Sequence, residues 1–367
     1  MSPIRIVRYH PRALIGDGGL TAAVHAWSES LARQGNEVIV AYDEALRPAS
    51  HQPTRSASGV QWAGVRHVPR GGLNVPLNIS RVLKGADLLV LHSGWTMHNI
   101  GAAAAARAMG VPYLLEPRGA YDPNIVTRRR ALKRAWWITL ERRLVSGARG
   151  IHVFFDLECS HLAALGYEGP VVVAPNGVAT PEGVAWDGGS GGYVLWMGRF
   201  DLEHKGLDLL LEALGMIPPG QRPQLRLHGP DWRGQKKKVV EMVATLGLKG
   251  SVTVGPPLRG AEKWRHLQCA RGFVYPSRWE GFGISVAEAA SVGVPPLVTP
   301  YPFGRFLATR GAALLAERSP ASLAAGLLGV ASAESSYLGR NAARVTRDEL
   351  QWETVARSWL RQVEGIL

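Results

Sequence analysis

Residues 272–288 read GFVYPSRWEGFGISVAE. The apolar run GFVY predicts a short strand. Pro276 and the glycines predict a turn, and ISVAE the start of a helix over 284–292. Gly281 and Gly283 let a backbone approach a ligand closely. Amides at a helix start, with the helix dipole behind them, make an anion site suited to a diphosphate. Glu288, early in that helix, can accept hydrogen bonds from ribose hydroxyls. Glu280, in the loop, can hold sugar hydroxyls. On the glycines alone, a plain strand–loop–helix turn with two surface glutamates reads the same way.

Moving upstream, residues 193–213 repeat the rhythm: the strand YVLWM, then GRFDLEHK, then a helix over 206–217. Arg199 follows the strand and Lys205 precedes the helix. Ligands in open α/β sheets bind at the carboxyl ends of strands. Two cations there can neutralise a diphosphate leaving group. A helix start disfavours cations, so Lys205 is the less ordinary of the two. Further strands are expected at LRLH, SVTV and PPLVT, with helices near 235–246 and 260–270.

The first half has the same alternation. Strands are expected near 4–9, 36–42, 86–92, 112–116, 150–155 and 170–174, and helices near 19–34, 95–109 and 130–146. Strands alternating with helices predict βαβ units and a parallel sheet. LLVL and VVV are continuous apolar runs, as in strands covered on both faces. The loop-rich region 43–80 is a candidate acceptor-side lining. Between the halves, TPEGVAWDGGSGG lacks periodicity and reads as a linker over 180–192. The domains so defined are 1–179 and 193–349, followed by an amphipathic tail helix over 350–367.

In the first half, Gly16, Gly18 and Gly19 lie between the first strand and a helix. The dinucleotide pattern GxGxxG is half met, because Thr21 stands at the third glycine. His92 ends the strand ADLLVLH and Arg118 follows PYLLEP; both sit where a strand tip meets a ligand cleft. For His92, a satisfied polar residue at a strand tip is an equal reading.

The 367 residues exceed what one core usually serves. With 46% hydrophobic and 19% charged residues the chain is globular, not disordered. Its two cysteines, Cys159 and Cys269, fit a reducing cytoplasm better than a disulfide framework. The N-terminus reads as a first strand and not as a signal sequence. No stretch is apolar enough to span a bilayer. The net charge of +13 suits anionic partners. It is spread over both halves, and no nucleic-acid motif accompanies it, so no nucleic-acid partner is expected.

Residues 128–143, RRRALKRAWWITLERR, set seven basic residues and two tryptophans against Glu141. That mixture suits an anionic membrane surface. On a regular wheel Leu132, Trp136, Leu140 and Leu144 form a stripe, interrupted by Arg143. A core-packed helix with a solvated basic face is the plainer reading.

Taken in order, the loop Gly18-Gly19-Leu20, PNGV at 175–178, GRF and HKG with Arg199 and Lys205, the pair Glu280 and Glu288, and the Trp352 tail resemble family 4 of the retaining GT-B glycosyltransferases. The resemblance runs nearly end to end. It implies an α/β fold of two Rossmann-like domains, their parallel sheets facing across a cleft. It implies an enzyme moving a sugar from a nucleoside-diphosphate sugar to an acceptor hydroxyl, with the tail helix packed on the first domain. Arg199 and Lys205 would hold the diphosphate, and Glu288 the ribose. Glu280 and the backbone at Phe282, Gly283 and Ile284 would hold the transferred sugar and phosphates. Gly18 and Gly19 would let the first domain close over the donor. His92 and Arg118 would lie near the chemistry. Many relatives carry histidine where this chain has Arg118, a departure that suits an acidic acceptor or a phosphate.

The resemblance implies front-face substitution without metal or cofactor, and no D-x-D triplet is present. The expected acceptor is a polysaccharide or lipid-linked oligosaccharide precursor, handled in the cytoplasm or at the inner face of the membrane. A small secondary metabolite as acceptor is the alternative, as is a nucleotide-sugar isomerase on the same fold.

Overall fold

The computed structural model describes residues 3–15, 18–48, 58–68 and 74–367. The chain divides into two compact units, one of Met1–Gly177 with Trp352–Leu367, the other of Val178–Gln351.

Among the described residues the first unit holds seven strands: β1 (Arg5–Tyr9), β2 (Glu37–Asp43), β3 (Gln61–Val65), β4 (Leu88–His92), β5 (Tyr113–Glu116), β6 (Gly150–Val153) and β7 (Val171–Val173). Their order is β3-β2-β1-β4-β5-β6-β7, and every pairing is parallel. Side chains alternate between the faces of β1. Val7 and Tyr9 enter the core with Ile79, Ala103 and Leu115, and Ile6 enters the opposite core with Trp27, Val38 and Trp359. Both faces are covered, which is why strands such as LLVLH read as unbroken apolar runs.

Helix Trp352–Glu364 closes this unit. Val355, Trp359 and Val363 are buried against helix Gly19–Arg33 and the sheet. Trp27 meets Trp352 edge-on at 5.6 Å. Losing the Trp359 side chain would cost roughly 3–5 kcal/mol. Gln362 accepts from the Val173 N–H and donates to the Val173 carbonyl, both at 2.9 Å. It thereby occupies backbone groups of β7, the last strand of the sheet, which would otherwise be an open edge. Gly177 packs on Trp352 so closely that a Cβ would fall 2.4 Å from the indole.

The second unit holds β8 (Tyr193–Met197), β9 (Gln224–His228), β10 (Val252–Gly255), β11 (Gly272–Tyr275), β12 (Pro296–Val298) and β13 (Leu314–Leu315). Their order is β10-β9-β8-β11-β12-β13, again all parallel. In each sheet the strand order reverses once, between β1 and β4 and between β8 and β11. Such switch points leave a crevice at the carboxyl ends of the strands.

Three features differ from expectation. The stretch 180–192 is tied to the second unit rather than strung as a linker. Trp186 Nε1 donates to the Ala270 carbonyl at 2.7 Å, and the Asp187 carboxylate accepts from the Gly189 and Ser190 amides at 2.9 and 3.0 Å. Strand β3 lies inside the region expected to be loop. The helix expected over 130–146 is broken into Arg130–Trp136, a π-helical turn Trp137–Glu141, and Arg142–Ser146. A π turn inserts a residue and shifts the helical phase. Leu132 is therefore exposed while Leu144 is buried, and the stripe read on a regular wheel does not form. The turn carries Glu141 inward. Its carboxylate accepts from the Trp95 amide at 2.8 Å, Tyr121 Oη at 2.7 Å and Trp136 Nε1 at 2.9 Å.

Candidate active site

In the second unit, the loops after β8 and β11 bring together Arg199, Lys205 and Glu280. Lys205 is followed by Gly206, which stands at φ 64° and starts helix Leu207–Met216. A Cβ there would lie 2.0 Å from the Pro276 carbonyl, so the glycine lets the two loops touch. Lys205 Nζ donates to Tyr275 Oη at 2.9 Å and forms an ion pair with Glu280. The Glu280 carboxylate also accepts from Ser277 Oγ at 2.9 Å and Tyr275 Oη at 3.2 Å. Burial pushes the Glu280 carboxyl up. Lys205, His204 and the Ser277 bond outweigh it and hold the group below the usual carboxylate range.

Arg199 lies between two aromatic groups. Its guanidinium sits 4.4 Å over the Trp232 ring, and Nη2 donates to His204 Nδ1 at 3.3 Å. His204 Nε2 faces the Trp279 carbonyl at 2.9 Å, and the two rings stack 4.6 Å apart. The Asp201 carboxylate lies 3.6 Å from His204 Nδ1.

Gly283 stands at φ 86° immediately before helix Ile284–Val292, whose first turn has no side-chain cap. Phe282 is buried and stacks on Phe303 at 4.7 Å, fixing the loop that leads into the helix. Glu288, a turn further on, accepts from Lys263 Nζ at 2.6 Å. Trp232, His204, Tyr275 and Lys263 were not found from the sequence.

In the first unit, Gly18 stands at φ 105° and Gly19 opens the helix. A Cβ on Gly18 would meet nothing within 4 Å, so conformation and not crowding asks for glycine. Gly16 lies outside the described residues. His92 and Arg118 come together through a residue the sequence reading passed over, Glu116. Its carboxylate, 1% exposed, meets Arg118 Nη2 at 2.7 Å, His92 Nδ1 at 2.8 Å, His152 Nδ1 at 2.9 Å and Arg8 Nη2 at 3.2 Å. Burial raises the Glu116 carboxyl, but these four neighbours overcome it and hold the group well below its usual range. Burial also holds His92 well below the usual imidazole value, against the pull of Glu116. Asn176, in the PNGV segment, is buried and accepts from Trp27 Nε1 at 2.8 Å, a packing role.

Among the described residues no helix is long and apolar enough to cross a membrane. Around the π turn, Leu132 and Ile138 are 61% and 63% exposed amid exposed arginines.

Two family models match the chain, a glycosyl transferase 4-like domain over residues 18–177 and glycosyl transferases group 1 over 189–344. Among curated proteins, the GDP-mannose:cellobiosyl-diphosphopolyprenol alpha-mannosyltransferase of Xanthomonas campestris is 26% identical over 303 residues, 81% of this chain and 77% of its own length. Among solved structures, sucrose-phosphate synthase of Thermosynechococcus elongatus superposes with a TM-score of 0.76 at 16% identity, over 99% of both chains. HepE of Anabaena, solved with UDP and glucose, gives 0.73 at 15% identity over 99% of this chain and all of that one. The two family models and the curated relative define a glycosyltransferase that moves hexoses, and the solved structures share its fold. The chain belongs to family 4 of that class, with the GT-B fold.

Proposed function

We propose that the enzyme takes a sugar from a nucleoside-diphosphate donor and transfers it with retained configuration, without a metal ion. The supporting observation is the placement of Arg199 and Lys205 at the switch point of the second sheet, beside the uncapped helix start at Gly283. The bond from the anomeric carbon to the diphosphate breaks, and its negative charge passes to Arg199, Lys205 and the amides at Ile284. The acceptor hydroxyl bonds to the same face of that carbon. Its proton goes to the departing phosphate oxygen. Glu288 binds the ribose, and Glu280, fixed by Lys205 and Ser277, binds the transferred sugar. On the first unit, Gly18 and Gly19 admit the donor, and His92 and Arg118 stand at the acceptor side.

The proposed acceptor is a lipid-linked oligosaccharide or polysaccharide precursor, in keeping with the diphosphopolyprenol acceptor named for the Xanthomonas relative. Exposed Leu132 and Ile138 among arginines support a peripheral contact with anionic lipid at the cytoplasmic membrane face. The test is a thermal-shift screen against UDP, GDP, ADP, CMP and dTDP and their sugars, run with and without EDTA. One diphosphate family should raise the melting temperature by mass action. The shift should vanish in Arg199→Ala and Glu288→Ala. Absence of any shift in folded protein would remove the donor-site assignment; a shift that EDTA abolishes would remove metal independence.

A further inference from the structure

Two buried guanidiniums, Arg8 and Arg118, share one carboxylate at the carboxyl edge of the first sheet. Arg8 and Glu116 are completely buried, and the Arg118 side chain is 9% exposed. Among the described residues Glu116 is the only acid acting on either arginine. Whatever the two histidines carry, at least one positive charge is therefore in excess. An uncompensated buried charge is costly unless a partner completes it. The hydrogen bonds have the same gap. Arg8 Nε and Nη1 and His92 Nε2 are buried without a partner among the described residues. Arg118 uses Nη2 on Glu116 and sets Nε 3.4 Å from His92 Nδ1, the nitrogen that Glu116 also holds, and among the described residues its Nη1 has no bond. The residue is also held at φ 52°, a left-handed conformation that strains a non-glycine residue. Its guanidinium is braced 5.5 Å over the Phe154 ring. A strained, braced, half-satisfied arginine above surplus charge is built to receive something.

We infer that the carboxyl edge of β4 and β5 is an oxyanion subsite centred on Arg118, taking a carboxylate or phosphate carried by the sugar ligand of the first unit. The fixed fork of arginine suits either group. Glu116 is the positioning residue: it holds Arg118 Nη2 and His92 Nδ1 at once. The inference rests on the transferase reading only for the source of the anion.

The test is a titration of enzyme labelled with 13C at histidine Cε1, first with inorganic phosphate and then with glucuronate, at constant ionic strength set by KCl. The His92 resonance is assigned with His92→Gln. It should shift and saturate with one of the two anions. Saturation by phosphate alone assigns a phosphate, and by glucuronate alone a sugar carboxylate. R118Q should weaken binding at least tenfold, and R118K, which keeps the charge, by less. R199A, in the other unit, should leave the titration unchanged. No saturable shift with either anion, or the wild-type curve in R118Q or R118K, would overturn the subsite. Nucleotide stabilisation measured on the same samples reports the donor site separately, so either reading can fail without the other.

Discussion

Lys205 Nζ and the Glu280 carboxylate form an ion pair with both side chains about nine-tenths buried, and Tyr275 and Ser277 complete the carboxylate's bonds. Removing one partner of such a pair leaves the other charge without compensation. Glu280→Gln keeps the shape and removes the charge. It should lower stability at pH 7 by about 2–3 kcal/mol, somewhat less than for fully buried pairs, and depress turnover. The pH dependence has a defined sign. The folded-state pKa of Glu280 lies below its unfolded value, so its contribution is present above the ordinary glutamate pKa and lost as pH falls through the depressed one. Thermal melts from pH 7 to pH 3 should show a shallower acid decline for E280Q than for wild type. Parallel curves would mean that the pair adds nothing.

Trp232 and His204 set the direction of Arg199. The guanidinium is held flat against the indole and tethered at Nη2. An exposed cation–π contact is worth about 0.5–1 kcal/mol. Trp232→Leu should therefore weaken nucleotide binding about two- to fivefold, with Trp232→Phe in between. Calorimetric titration with the nucleotide selected in the screen measures this. A tighter-binding W232L would mean that the indole restrains Arg199 from its working position.

The parts of the site legible in the sequence are those made by near neighbours. Arg199 and Lys205 flank one turn, and Glu280 and Glu288 flank another. The Glu116 cluster was not legible, because Arg8, His92, Glu116 and His152 come from four different strands and only the sheet order makes them adjacent. A sign was present: a charged residue inside RIVRY and another ending YLLE, each in an otherwise apolar strand. Strand β3 was missed because QWAGV is an edge strand, mostly half-exposed, with a glycine inside it. The phase of helix 130–146 was misread because a wheel assumes a constant pitch. The stretch 180–192 looked like a linker by composition, and two residues, Trp186 and Asp187, decided otherwise.

Gly229 shows how tightly the loop bearing Arg199 is seated. A Cβ there would fall 1.6 Å from the Gly198 carbonyl oxygen, a backbone atom. Gly198 in turn donates its amide to the His228 carbonyl at 3.1 Å. Gly229→Ala must push β8 and β9 apart at their carboxyl ends. It should cost roughly 3 kcal/mol or more and abolish nucleotide stabilisation by displacing Arg199. Gly220→Ala, where nothing lies within 4 Å, is the matched control. It should stay within about 0.5 kcal/mol of wild type. Equal melting temperatures for the two variants would refute the clash.

Glu158 offers a pH effect of opposite sign to that of Glu280. It is buried at the start of helix Leu157–Ala163, and burial raises its pKa to about 8. The Phe154 and Phe155 amides, donating at 2.8 and 3.2 Å, pull the other way without prevailing, and the Asp122 carboxylate adds to the rise. With the folded pKa above the unfolded one, the stability that comes from burying a neutral carboxyl is complete below the ordinary glutamate pKa. It is lost as pH rises through about 8. Glu158→Gln is neutral throughout and keeps an oxygen to accept from the amides. Its stability relative to wild type should thus grow between pH 5 and pH 9, by on the order of 2 kcal/mol. Paired melts at the two pH values cancel the titrations the proteins share. A constant difference would mean that Glu158 is ionised at neutral pH and held by the two amides, so that substituting glutamine should then weaken the helix start at every pH.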